Sequence, residues 1–203
     1  MEQTPDGFID PGPLIDGELE LVLPAHRWVD EMLAACQHPL TRLLMPQQTA
    51  IGRYQWESFI NQHPHGFTVE YHSSGPVRSW QFWMRLRPDD SGEHQPEITI
   101  AGALGLRLGK NENLEMYLGH IGYHVLPPAR GHHYAERACR LVLPLARACG
   151  YQELWITTNP ENEPSRRTIE RLGGELVDLV DVPPGNPLYA QGDRKKFRYR
   201  LKL

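Results

Sequence analysis

The sequence of 203 residues predicts an α/β fold with a mixed, mostly antiparallel central sheet flanked by helices. Three observations carry this. Apolar residues recur at helical spacing in two stretches before His63, and the period then falls to that of strands between Phe67 and Leu108. His120 to Ala135 reads as a strand that stops at a double proline, turns through Arg130-Gly131 and opens into a helix. After it come a strand, a helix and two closing strands. The length suits one well-cored domain and no repeat divides it, so 18–203 reads as a single domain behind an irregular, proline- and glycine-rich lead-in, 1–17.

Taken in order, Glu18 to Pro24 alternates as a first strand. Trp28, Val29, Met32, Leu33 and Cys36 then form the inner stripe of a helix. A second helix covers Thr49 to Gln62 with Ile51, Tyr54, Phe59 and Ile60 inward. Phe67 to His72, Ser79 to Leu86 and Glu97 to Leu108 are strand runs, and turns at 88–93 and 109–113 lead to the strand His120 to Leu126. Ala135, Ala138, Cys139, Val142, Leu145 and Ala146 line one face of a helix from Tyr134 to Cys149 that Gly150 stops and Pro144 should kink. Glu153 to Thr158, apolar on both faces, reads as a strand deep in a sheet. Asn162 caps a short helix closed by Gly173-Gly174, before strands at Glu175 to Val182 and Lys196 to Leu203.

A net charge of −4 and the lack of a basic helix argue against nucleic acid as a partner. No apolar run is long enough for a bilayer, and the N-terminus has no signal-peptide core, so a cytoplasmic protein is expected. Cys36, Cys139 and Cys149 lack metal-ligand spacing, and Cys36 and Cys139 fall on apolar helix positions as buried thiols.

The strand–turn–helix at His120–Ala135 is where the sequence carries chemistry. Backbone N–H groups converge at the helix start, where the dipole is positive, and suit a phosphate. Gly131 permits close approach and Arg130 can add a charged partner.

Together with the element order, these residues resemble the GNAT superfamily of acyl-CoA-dependent N-acyltransferases. Its phosphate signature is Gln or Arg, two residues, Gly, one residue, then Gly or Ala. Arg130 fills the first place and Ala135 the last, and His133 stands at the central glycine. Val125-Leu126-Pro127 matches the strand end that pairs with the pantetheine arm. Asn159 to Ser165 matches the family's second half, in which Asn162 and Ser165 border the cofactor channel, and Arg171-Leu172-Gly173 matches its ending. The likeness is specific from about residue 96 onward and topological before that. Within the superfamily it is nearest to bacterial acetyltransferases of unassigned substrate carrying Gly-His-Ile-Gly-Tyr, here Gly119 to Tyr123.

The resemblance implies acetyl-CoA as co-substrate, held by Val125, Leu126, Arg130, Gly131, His132, His133, Tyr134, Ala135, Asn162 and Ser165. It implies transfer to a primary amine of a small molecule or peptide, by direct attack in a ternary complex. The amine must lose a proton and the thiolate must gain one. His120 and Glu115 are the candidate bases, Tyr123 the candidate acid, and a backbone N–H near Val125 the oxyanion donor. The family's usual tyrosine acid, four residues past Ser165, is replaced by Ile169.

Blander readings stand beside these. Arg130-Gly131 also suits an ordinary helix start, Asn162 a simple cap, and Tyr123 a core strand residue. Trp56, Trp80 and Trp83 could line a pocket but suit core. Asp89, Asp90 and Glu93 could attract a cationic amine but suit a solvated tip. The basic face of the last strand reads as edge protection. His120 and His124 would stand roughly 13 Å apart along a strand, too far for one metal ion. A non-catalytic acyl-CoA-binding regulatory module of the same fold is the alternative function, and a plain phosphate or nucleotide binder a weaker one. The sequence leaves the acceptor unnamed and a homodimer open.

Overall fold

A computed structural model describes residues 8–72, 75–88 and 96–203. The tip bearing Asp89, Asp90 and Glu93 lies outside the described residues. In chain order the elements begin with β1 (Leu14–Asp16), β2 (Leu19–Val22), α1 (Val29–Gln37), α2 (Pro39–Leu44), α3 (Pro46–Thr49) and α4 (Arg53–Gln62). There follow β3 (Phe67–His72), β4 (Gly75–Leu86), β5 (Ile100–Leu108), a π-turn at Leu114–Leu118 and β6 (Ile121–Val125). The chain closes with α5 (Tyr134–Ala148), β7 (Glu153–Thr158), α6 (Glu163–Arg171), β8 (Glu175–Asp181), α7 (Pro187–Ala190) and β9 (Lys195–Lys202). One sheet runs β1-β2-β4-β5-β6 with β3 on β4, and the other runs β7-β9-β8. This is the α/β fold with mostly antiparallel strands and flanking helices that the sequence predicts. No helix among the described residues is long and apolar enough to cross a membrane.

Contacts group the chain into two compact units. The first holds the described part of Met1–Thr68 with Trp80–Gly105 and Tyr123–Val142. In it the antiparallel register sets Leu19 opposite Leu86 and Leu21 opposite Met84, so β2 buries alternate leucines. Val29, Met32, Ala35 and Cys36 are the buried stripe of α1. Trp80 and Trp83 are core, with Trp56 edge-on to Trp83 at 5.3 Å. Tyr54, expected inward, is 78% exposed. Its helix starts only at Arg53, after the short α2 and α3, and that phase turns Tyr54 to solvent. Within the lead-in, Leu14–Asp16 forms a strand because β2 offers it a ladder partner.

The second unit holds Val69–Ser79, Leu106–Gly122 and Leu143–Leu203. Two expectations change here. β7 is an edge strand with alternating burial, not a strand buried on both faces. Its outward Trp155 is covered by the guanidinium of Arg198, 4.6 Å from the ring centroid. β9, whose basic residues read as edge protection, is the central strand of its sheet. Those bases face an acidic partner strand: Arg198 pairs with Asp178, Lys195 with Asp181 and Arg200 with Glu175. The edges of this sheet are β7 and β8.

All three cysteines are free thiols; Cys36 and Cys139 are buried, and burial pushes Cys36 up to about 11.

Candidate active site

β6 ends the strand order of its sheet, and no described strand pairs with its outer edge. Leu126 donates its N–H to Ala101 O at 2.8 Å, so its polar groups face β5. The alternation of an antiparallel ladder then turns the N–H and C=O of Val125 outward. The geometry agrees: Val125 O accepts from Arg130 Nε at 3.2 Å rather than from β5. Pro127 to Ala129 make one 3₁₀ turn, closed by Ala129 N to Leu126 O at 2.9 Å. Arg130, Gly131, His132 and His133 are exposed at this turn, whereas Leu126 and Tyr134 are buried beneath it and Ala135 is half-buried.

The turn enters α5 through two left-handed residues. Gly131 has φ +93°, and nothing lies within 4 Å of where its Cβ would be. His133 has φ +58°. The side chain at the family's glycine position therefore leaves the left-handed backbone in place rather than abolishing it. His133 O accepts from Arg137 N at 3.0 Å, which makes His133 the N-cap. The N–H groups of Tyr134, Ala135 and Glu136 form the first turn, which has no intrahelical acceptors. The His133 imidazole leans along the helix, Nδ1 4.0 Å from Glu136 Oε2, and is 56% exposed.

A clamp that the sequence reading missed fixes this helix start. Arg137 grips the β1–β2 turn, donating to Asp16 Oδ2 at 2.6 Å and Glu18 Oε1 at 2.7 Å. The Arg137 hydrogen bond holds the Glu18 carboxyl down at about 2. Tyr134 also bonds Glu18, while Arg137 lies over the Tyr134 ring at 5.4 Å and His132 stacks on it at 5.4 Å. The acid–glycine–acid run Asp16-Gly17-Glu18 was the available signal.

In the second unit, the chain leading into β6 is stitched to β7. His120 N donates to Trp155 O at 2.7 Å, and Trp155 N donates to His120 Nδ1 at 2.9 Å. With Nδ1 accepting, the neutral ring carries its proton on Nε2, and the Gly109 backbone is a further hydrogen-bond partner of the imidazole. Burial pushes the imidazole down to about 4. Tyr151 packs edge-on against the ring at 5.8 Å. Glu115 is half-buried on the π-turn, next to Arg198, which reaches Glu115 O at 3.4 Å. Thr157 Oγ1 donates to Tyr117 O at 2.7 Å and ties the same turn to β7. In the first unit, Tyr123 and His124 are half-buried on β6, and burial lowers His124. Among the described residues, no group of three or more His, Cys, Asp or Glu side chains could hold a metal ion.

Asn162 caps α6 by accepting from Ser165 N at 3.2 Å, and Ile169 on that helix is fully buried. The loop before it rests on a second unforeseen group. Lys196 Nζ bonds Asn159 Oδ1 and Asp193 Oδ2, each at 2.6 Å, and Asn159 Nδ2 bonds Asp193 Oδ1 at 2.6 Å. Burial works against the charged Asp193, but Lys196 and Asn159 outweigh it, and its carboxyl lies below the usual range.

Residues 20–175 match the family described as acetyltransferase (GNAT) domain. The microcin self-immunity acetyltransferase MccE, solved with acetyl-CoA and AMP, shares 15% identity at TM-score 0.61, over 94% of each chain. A GNAT-family acetyltransferase from Bacillus anthracis shares 15% at TM-score 0.60, over 94% of this chain and 98% of that one. RimL, a ribosomal α-N-protein acetyltransferase solved with coenzyme A, shares 14% at TM-score 0.61, over the same 94% and 98%. At such identities the likeness is one of fold, and no curated protein matches the chain in sequence. The family match spans most of the chain, including the β6 edge, the left-handed turn and the capped loop at Asn162, so the chain belongs to the GNAT acetyltransferases.

Proposed function

We propose that the chain is an N-acetyltransferase that moves the acetyl group of acetyl-CoA to a primary amine by direct attack in a ternary complex. The observation that carries this is the outward Val125 edge running into a turn with left-handed residues at Gly131 and His133. That sequence of features offers peptide groups to an amide-bearing arm and then first-turn N–H groups to a diphosphate. The relatives solved with acetyl-CoA or CoA supply the ligand for the proposal.

In the reaction the amine nitrogen attacks the thioester carbonyl carbon, the C–S bond breaks, and the thiolate takes up a proton. We assign Arg130, Gly131, His132 and His133 with the amides of Tyr134 and Ala135 to the diphosphate, and Val125 and Leu126 to the arm. Val125 N–H serves as the oxyanion donor. We also assign Asn162 and Ser165 to the cofactor. Of the two bases expected, His120 has its lone pair committed to Trp155 N–H, which makes it a pin for β7. Glu115 is left as the base and Tyr123 as the acid. The acceptor is a small-molecule or peptide amine.

One observation favours a non-catalytic acyl-CoA-binding module instead: Ile169, at the place of the family's usual acid, is fully buried. Thermal unfolding with a thiol-release assay over an amine panel separates the two. Acetyl-CoA at about 100 times its Kd should add roughly 2.7 kcal/mol, about 5–10 °C in Tm. A Tm rise with CoA release on an amine supports the transferase; a rise without turnover on any amine supports the module. No rise rejects both.

A further inference from the structure

Arg107 is an arginine whose bonding is unfinished. It lies half-buried on β5 in the second unit, its backbone fixed by N–H donation to His120 O at 2.7 Å. Among the described residues its guanidinium has one hydrogen-bond acceptor, Gly119 O, at 3.3 Å from Nη1, and no ion-pair partner. A guanidinium offers five donors in a fixed fork. The fork lies across Gly122 on β6: a Cβ there would sit 3.1 Å from Nη1 and 3.2 Å from Nη2. A side chain at that position would press on the fork.

Burying a cation without a counter-ion costs stability, and burial does lower the pKa of Arg107. Glu70 attracts it only at longer range. A planar fork with spare donors, partly desolvated, is suited to bidentate capture of a carboxylate. One guanidinium opposed by the field of Glu70 balances a single negative charge better than the nearly two of a phosphate monoester.

We propose that Arg107 determines acceptor specificity by holding a carboxylate on the amine substrate, so that the enzyme favours amino-acid-like acceptors over neutral amines. The inference rests on the transferase reading. Gly122, against which the fork lies, is on β6, the strand whose outer edge is assigned to the thioester arm.

The test measures kcat/KM for a series of ω-aminocarboxylates, each paired with its own carboxamide, with acetyl-CoA binding followed by thermal shift in parallel. The wild-type protein should prefer the carboxylate member by about 10- to 100-fold, the worth of a charge-assisted hydrogen bond. Arg107→Gln should erase the preference through the acceptor KM and leave the acetyl-CoA shift intact, and Arg107→Lys should retain part of it. Equal kcat/KM within the pairs in the wild-type protein overturns the proposal, whether or not the variants fold. So does a preference that survives Arg107→Gln, or turnover of neither member while acetyl-CoA still raises Tm. A missing acetyl-CoA shift takes down the transferase reading itself, and the anchor with it.

Discussion

His133 gives the account a test that depends on one torsion. A histidine at φ +58° sits in the left-handed region, which costs a residue with a Cβ roughly 1–2 kcal/mol. Glycine there removes that cost but loses more freedom on folding, about 0.5–1 kcal/mol. The two nearly offset, so His133→Gly should change stability by no more than about 1 kcal/mol, in the stabilising direction. For a chain of this size that is a Tm rise of about 1–4 °C. His133→Val sets a β-branched side chain in the same conformation and should cost a further 1–2 kcal/mol, lowering Tm by roughly 2–8 °C. The imidazole is more than half exposed and its ion pair with Glu136 Oε2 spans 4.0 Å, so the loss of that pair adds little. Calorimetry on the two variants, with acetyl-CoA titrated into each, measures both effects. His133→Gly should bind at least as tightly as wild type, because the first-turn amides are kept. A His133→Val protein as stable as wild type, or a His133→Gly protein destabilised by more than about 1 kcal/mol, would refute the left-handed cap.

Further outcomes follow from the same geometry. Gly102→Ala would put a Cβ 2.1 Å from His124 O and 3.0 Å from Val125 Cα, both backbone atoms that cannot swing aside. It should cost about 3 kcal/mol, a Tm drop of about 6–12 °C by differential scanning, with a smaller acetyl-CoA shift. His120, depressed to about 4, binds fewer protons folded than unfolded. Its contribution is complete above pH 6.5 and is lost as pH falls towards 4, about 3 kcal/mol in urea titrations across that window, and His120→Asn should flatten the slope. Glu18, depressed to about 2, adds stability that is present above about pH 4.5 and lost towards pH 2, a loss absent in Arg137→Ala. Lys196→Met strands the Asp193 carboxylate and should cost about 3 kcal/mol in chemical denaturation. It should also raise the KM for acetyl-CoA, because the loop before Asn162 loses its support.

Much of the architecture was legible because periodicity reports burial. The α5 stripe from Ala138 to Ala146 and the Asn162 cap follow from residue types a few positions apart. What escaped depends on partners far along the chain. Leu14–Asp16 is a strand only because β2 accepts it, and α2, α3 and α7 are too short to show a period. Trp155 made β7 look buried on both faces because the sequence does not reveal that Arg198, across the ladder, shields the ring. The same limit governs the site. The left-handed turn could be inferred from Gly131 and the place of His133. The commitment of His120 Nδ1 to an amide thirty-five residues later could not.

The claim on which the rest depends is that acetyl-CoA lies along the outer edge of β6 with its diphosphate on the first turn of α5. Amide hydrogen exchange with and without acetyl-CoA addresses it residue by residue. The account predicts added protection at Val125, Tyr134, Ala135 and Glu136, with little change at Leu126, whose N–H is already bonded to Ala101. Unchanged exchange at those four amides under saturating acetyl-CoA would contradict it.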